Sequence, residues 1–286
     1  MKRWLFFTYG IAGHATFLAT YTYMAGFLGN LWVPKSIDAP ASAYSVEAVA
    51  INLLLVAIFA VQHSVMARPA FKRLWIRLIP QPIERATYVW MANATTILLM
   101  WQWRPIDTLV WDAGQPLVRA MLWSLFAAGW LAVPLVSVLI NHFDLFGTRQ
   151  VWLFWQNKPY TDLPFRTPAA YAHVRHPLYF GWGLLFWAIP TMTVGHLLFA
   201  GSLTAYMMLA AIVEERDLVN HFGQTYQDYR RRVPMFVPRL RVAAIAFQAS
   251  RDSEPVAQLA ESDACEIACD RLGRADVPLT HEIGDA

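Results

Sequence analysis

Charge is what this 286-residue chain most lacks: Asp, Glu, Lys and Arg make up 15% of it, against about 25% in soluble chains. The deficit is concentrated, because uncharged runs cover 4–34, 48–67, 86–103, 120–143 and 176–213. With hydrophobic residues at 57% and 13 Trp, a water-soluble globule is excluded. Cysteine is scarce too. Cys265 and Cys269, the two present, lie four residues apart near the C-terminus, which is not a common zinc spacing, so they read as incidental. There is no Walker loop, dinucleotide fingerprint or nucleic-acid module, and a net charge of +3 on so apolar a chain does not imply nucleic acid.

What is there is membrane-spanning material. A helix crossing the hydrocarbon needs about 20 mostly apolar residues, so the first four runs each hold one span. The last is nearly twice as long and holds two. The fold class expected is therefore an all-α integral membrane protein of about six transmembrane helices. Lys2 and Arg3 precede an apolar run longer than the roughly 7–15 residues of a secretory signal, which makes it a retained first span.

Basic residues in short loops face the cytoplasm. Lys2, Arg3, Arg68, Lys72, Arg73, Arg77 and Arg85 mark two such segments. The alternation then places the loops around Lys35 and Asp38 and around Arg104, Asp107 and Asp112 outside, 141–175 inside, a tight turn at 190–196 outside, and both termini in the cytoplasm of a bacterial-type inner (plasma) membrane. Residues 242–286 carry nine acidic and three basic side chains and form a separate cytosolic tail, read as a flexible extension in preference to a marginal surface helix. The organisation expected is helices one to four in 1–140, a catalytic region in 141–241, and the acidic tail.

Polar chemistry collects in two places. The first runs from Tyr171 through His173, Arg175, His176, Pro177 and Tyr179 to Gly181. Pro177 suits the first turn of a helix, which puts the His and Arg side chains at a helix N-terminus, where free N–H groups favour an anionic ligand group. Gly181, one turn on, permits close approach to the helix. The plainer reading is an interfacial cluster snorkelling to lipid phosphates. The second place starts at Glu214 and Glu215. Adjacent carboxylates at a membrane boundary are costly without partners. Beyond them Leu218, Phe222, Tyr226, Tyr229 and Val233 recur at helical spacing, giving a cytosolic amphipathic helix with its apolar stripe on the membrane or the bundle. Two antiparallel spans filling 176–213 return to one membrane face, so His176 and Glu214 are expected to be neighbours.

The pattern Arg175-His176-Pro177-x-Tyr179-x-Gly181, a hairpin, Glu214-Glu215-x-x-Leu218, then Phe222-Gly223-x-x-Tyr226-x-x-Tyr229 and Val233-Pro234 resembles the isoprenylcysteine carboxyl methyltransferase and phospholipid methyltransferase superfamily of integral membrane enzymes. Two further stretches, 26–38 and Asn141-His142-Phe143-Asp144 through Gly147 to Arg149-Gln150, are similar to its NnrU-like branch, with the resemblance running to about Pro238. It implies an S-adenosylmethionine site enclosed by Tyr171, His173, Arg175, His176, Pro177, Tyr179, Gly181, Glu214 and Glu215. It also implies methyl transfer to a small volatile thiol, methanethiol, with dimethyl sulfide and S-adenosylhomocysteine as products. The expected surroundings are membrane lipid, with no metal, no nucleic acid and no obligate protein partner.

A thiolate is the reactive form of a thiol, so a base near neutral pKa helps. His142, oriented by Asp144, supplies the residue types, although an interfacial His capping a helix end and an Asp starting a loop read equally well. His173 is the rival base. Arg149 and Gln150 line the pocket mouth, unless Arg149 is only a positive-inside anchor. Two other readings stand beside this one: methylation of a prenylcysteine or lipid amine, and a haem-binding membrane subunit ligated by His14 and His63, against which their different depths argue.

Overall fold

The uncharged runs fold for most of their length as helices. The computed structural model describes residues 1–40, 46–161 and 163–237, and the acidic tail lies outside them. Along the chain come α1 (Lys2–Gly29), α2 (Val46–Ala67), α3 (Pro69–Trp75), α4 (Glu84–Gln102), β1 (Leu109–Asp112), α5 (Pro116–Ile140), α6 (His142–Leu145), α7 (Thr148–Trp155), α8 (Pro177–Trp187), β2 (Thr191–Thr193), α9 (Val194–Phe222) and α10 (Gln224–Arg232).

Of the six spans expected, α2, α5 and α9 are both long and apolar enough to cross a membrane. The last uncharged run does not divide evenly. α8 has 11 residues, about 16 Å at 1.5 Å per residue, whereas α9 has 29. α8 stops at Ala188 (φ −85, ψ 60), two residues before Pro190, and the chain then turns extended. There β2 pairs antiparallel with β1, Leu109 opposite Thr193 and Asp112 opposite Thr191, so the purely helical expectation is corrected by a small two-stranded sheet whose Val, Trp and Thr residues favour strand.

The expected single amphipathic helix is also divided. α9 continues past Glu215 to Phe222, and Gly223, at φ 55 and ψ −129, breaks it from α10. The apolar stripe then folds onto the protein itself: Tyr226, Tyr229 and Val233 are buried against Phe165, Leu218, Val219 and Phe222.

Helix contacts are close where glycine permits. A Cβ placed on Gly129 of α5 would lie 2.8 Å from Leu184 Cβ and 2.9 Å from Leu185 N, and one on Gly181 would lie 3.1 Å from Val133 Cγ2. α5 and α8 therefore run antiparallel, with Gly129 opposite Leu185 and Val133 opposite Gly181. The end of α5 thus lies towards the start of α8. Within α5, Pro134 cannot donate to Trp130 O. The Tyr21 hydroxyl donates there instead, at 2.5 Å.

Polar groups collect at the two ends of the bundle. At one end Asn52, fully buried, exchanges hydrogen bonds with the backbone of Arg104 at 2.7 and 2.8 Å. Beside it Asp38 accepts from Thr193 Oγ1 (2.5 Å) and Asn30 Nδ2 (2.8 Å), with His196 Nδ1 3.7 Å away. Burial would raise the Asp38 carboxyl, but His196, Thr193 and Asn30 outweigh it and hold it below the usual carboxylate range. A lowered folded-state pKa contributes stability above the unfolded value of about 3.9, and that stability is lost as pH falls through the folded value. The melting temperature of the detergent-solubilised protein should accordingly fall between pH 5 and pH 3, and Asp38→Asn should flatten that fall. An unchanged slope in Asp38→Asn would count against it.

Candidate functional site

The other end of the bundle holds the sequence-predicted residues. Pro177 opens α8, with His176 as the capping residue. The N–H groups of Arg175 and His176 donate to Pro234 O (2.9 Å) and Met235 O (3.2 Å), so the chain leaving α10 lies alongside the start of α8. Arg175 fastens three elements at once. Its Nε donates to Glu215 Oε1 at 2.6 Å, and its Nη1 to Val233 O at 2.6 Å and Arg230 O at 3.1 Å.

The two adjacent carboxylates have different surroundings. Glu215 is 4% exposed and is enclosed by Arg175, by His176 Nε2 at 3.2 Å and by Arg230 Nε at 3.4 Å. Its charge is spent inside the scaffold. Glu214, one residue away and so on a different face of α9, has a side chain 47% exposed. It accepts from the Tyr179 hydroxyl at 3.0 Å, with His176 Nδ1 at 3.8 Å. The expected proximity of His176 and Glu214 is what the structure has.

Aromatic rings wall this end. The His176 ring stacks on Tyr179 and tilts against Phe236. The Tyr229 hydroxyl donates to Tyr171 O at 2.7 Å, and burial, with Glu215 adding to it and Arg175 opposing it, pushes that hydroxyl up to about 12. The Tyr171 hydroxyl is also raised, by burial and then by the charge on Glu214. His173 is exposed, and Gly181 is buried against α5, so the group whose approach Gly181 permits is another helix. Towards α2, Ser64 meets the Tyr206 hydroxyl (3.1 Å), Arg68 meets Asp217 (2.9 Å), and the Tyr88 hydroxyl meets His63 (2.9 Å).

The residues expected to form the base are brought near one another but paired differently. His142 does not turn to Asp144; positions two apart on a helical turn do not face each other. Its Nδ1 is 2.7 Å from Ser137 Oγ and its Nε2 is 2.9 Å from His14 Nε2. Asp144 instead accepts from Arg149 Nη1 (2.9 Å), Gln150 Nε2 (3.2 Å) and the Tyr160 hydroxyl (3.3 Å). Arg149 also donates to Thr161 O at 3.1 Å. Burial lowers the His142 imidazole from its ordinary value. His14 was missed by sequence reasoning as a partner of His142, 128 positions away; the available signal was a lone ionisable group inside an uncharged membrane run. His14 and His63, whose different depths argued against a haem pair, contact His142 and Tyr88 respectively. Among the described residues no group of three or more His, Cys, Asp and Glu is placed to hold a metal.

The antiparallel packing of α5 and α8 relates the two groups: the end of α5, where Ser137 holds His142, lies at the end of the bundle where α8 starts. The electropositive start of α8, a half-exposed carboxylate, an aromatic wall and a histidine pair thus share one end of the bundle.

No family model and no solved structure matches the chain. Curated proteins do. A protein of Crocosphaera subtropica named methanethiol S-methyltransferase is 48% identical over 238 residues, 83% of this chain and 93% of its own. One of Bradyrhizobium diazoefficiens named methanethiol S-methyltransferase 2 is 50% identical over 232 residues, covering 81% and 89%. More distantly, nurim of Xenopus laevis is 27% identical over 180 residues, covering 59% and 62%.

Proposed function

The chain belongs to the methanethiol S-methyltransferase family, and we propose that it moves a methyl group from S-adenosylmethionine to methanethiol, releasing dimethyl sulfide. The observation that carries the reading is Glu214, a half-exposed carboxylate held by Tyr179 at the electropositive start of α8. That pairing suits a zwitterionic, ribose-bearing donor. Glu214 takes its hydroxyl or amino groups, and the first free N–H groups of α8, at Leu178 and Tyr179, take its carboxylate. The rings of Tyr171, Tyr179 and His176 suit its sulfonium. His173 lies at the rim.

When bound, the donor supplies an electrophilic methyl carbon. The protein's own residues orient and desolvate. Glu215, Arg175 and Arg230 fix the spacing of α8, α9 and α10, Pro177 and Gly181 fix α8 against α5, and Arg149 with Asp144 frames the side of the pocket nearest His142. We place α1, α4 and α8 in the bilayer together with α2, α5 and α9, giving six passes. The end bearing Arg3, Arg68, Lys72, Arg73, Arg77 and Arg85 then faces the cytoplasm of a bacterial inner membrane. Residues 242–286 are assigned no part in the methyl transfer.

Membranes containing the protein, given S-adenosylmethionine, should convert methanethiol to dimethyl sulfide, with rates falling steeply as the thiol lengthens, because a dry pocket shaped for one carbon excludes larger chains. Equal rates with a prenylcysteine or a phospholipid amine would sink the reading. Glu214→Ala should weaken S-adenosylmethionine binding by about 10- to 100-fold, the range of a lost hydrogen bond to a charged group, and leave the melting temperature in place. Calorimetry showing wild-type affinity would remove Glu214 from the site.

A further inference from the structure

The hydrogen bonds at the cytoplasmic end of α5 can be followed proton by proton. Ser137 Oγ is 2.8 Å from Pro134 O, a carbonyl that only accepts, so the single Ser137 hydroxyl proton points there. Ser137 Oγ must then accept from His142, whose Nδ1 lies 2.7 Å away and therefore carries a proton. Burial lowers the His142 imidazole, which keeps the ring neutral and leaves its Nε2 a lone pair. His14 Nε2, 2.9 Å from that lone pair, must be the donor. Both nitrogens of His142 are then engaged. The lone pair at the end of the chain is His14 Nδ1.

The surroundings of His14 are aromatic and suit a small apolar thiol. The His14 ring stacks on Phe146 (centroids 5.0 Å, 7° apart) and stands 6.5 Å from Phe17 and 6.4 Å from Phe143, and sulfur packs favourably against aromatic rings. The ionisable groups on the elements around it are His142 and Asp144 on α6, Arg149 on α7, Lys72 on α3, Glu84, Arg85 and Tyr88 on α4 with His63 of α2 against Tyr88, and Tyr179, with the adjoining His176, at α8. Asp144 and Arg149 are paired with each other.

Resting on the methyl-transfer reading above, we propose that His14 Nδ1 takes the thiol proton, and that His142 and Ser137 are positioning residues that fix its tautomer. The S–H bond breaks and its proton forms N–H at His14 Nδ1. The electron pair left on sulfur forms the new C–S bond as the donor's methyl–sulfur bond breaks, its pair remaining with the departing sulfur. His14 Nε2–H shares the positive charge with His142 before the proton leaves to water.

His14→Gln should lower turnover at neutral pH by about 10²- to 10⁴-fold and leave S-adenosylmethionine affinity within about twofold of wild type. Alkali should restore its rate as the thiolate fraction in solution rises, about tenfold per pH unit below the thiol pKa. Ser137→Ala should give a smaller loss of the same alkali-rescued kind, whereas any loss in Asp144→Asn should not be rescued. Near-normal turnover of His14→Gln at neutral pH would overturn the proposal, as would a loss that alkali leaves in place. Should that variant fail to fold, nitrogen NMR of the wild-type histidines decides: His14 protonated at Nε2 and bare at Nδ1 supports the assignment, and the reverse refutes it. Absence of methanethiol turnover in the wild type would instead refute the functional reading, which the imidazole spectrum does not touch.

Discussion

Arg175→Met should cost the folded protein about 3–5 kcal/mol, the usual penalty for removing one partner of a buried ion pair. The side chains of Arg175 and Glu215 are 11% and 6% exposed and meet at 2.6 Å, so water does little to screen the charge left behind. The loss extends beyond the pair, because the same guanidinium holds Val233 O and Arg230 O and thereby fastens the end of α10 to the start of α8. Cofactor affinity should fall together with the melting temperature. Glu214→Ala separates from it cleanly: affinity falls and stability stays. A melting temperature for Arg175→Met equal to wild type, measured in the same detergent, would show that Glu215 finds its stabilisation elsewhere and that the scaffold role assigned to it here is wrong.

That contrast marks how far the sequence could be read. Glu214 and Glu215 look alike in sequence, and both were expected to touch the cofactor. Their difference comes from the 100° step between successive helical residues, which turns one inward to Arg175 and leaves the other at the rim, and no periodicity announces which is which. The return of Glu214 to His176 was legible because a chain that leaves one membrane face and comes back must close on itself. The unequal halves of 176–213 were not, since charge gaps count residues without showing where a proline and a pair of threonines turn helix into strand. His142 could be picked out by its type, and its partner could not. A neighbour two positions along is an obvious candidate on paper, while a histidine on the first helix becomes adjacent only after α1 and α6 meet.

The histidine pair depends in turn on one glycine. Gly147 sits at φ 80 and ψ 0, in the left-handed region where an L side chain costs about 1–2 kcal/mol. A Cβ there would lie 2.6 Å from Ala86 N and 3.0 Å from Ala86 Cα, against backbone that no rotamer change can move. Relief requires the α6–α7 turn to lift from the first turn of α4, breaking the Arg85 Nε bond to Leu145 O at 2.7 Å. It also shifts Phe146, whose ring lies beside both His14 and His142. Gly147→Ala should therefore lower the melting temperature by more than the strain alone implies, a total of about 3–5 kcal/mol, where large single-residue effects lie. The protein that still folds should bind S-adenosylmethionine near normally, since α8 and α9 carry Tyr179 and Glu214, yet turn over little thiol. Wild-type stability and turnover in Gly147→Ala would mean that the turn can move without disturbing the His14–His142 contact, and the chain of protons drawn through it would lose its support.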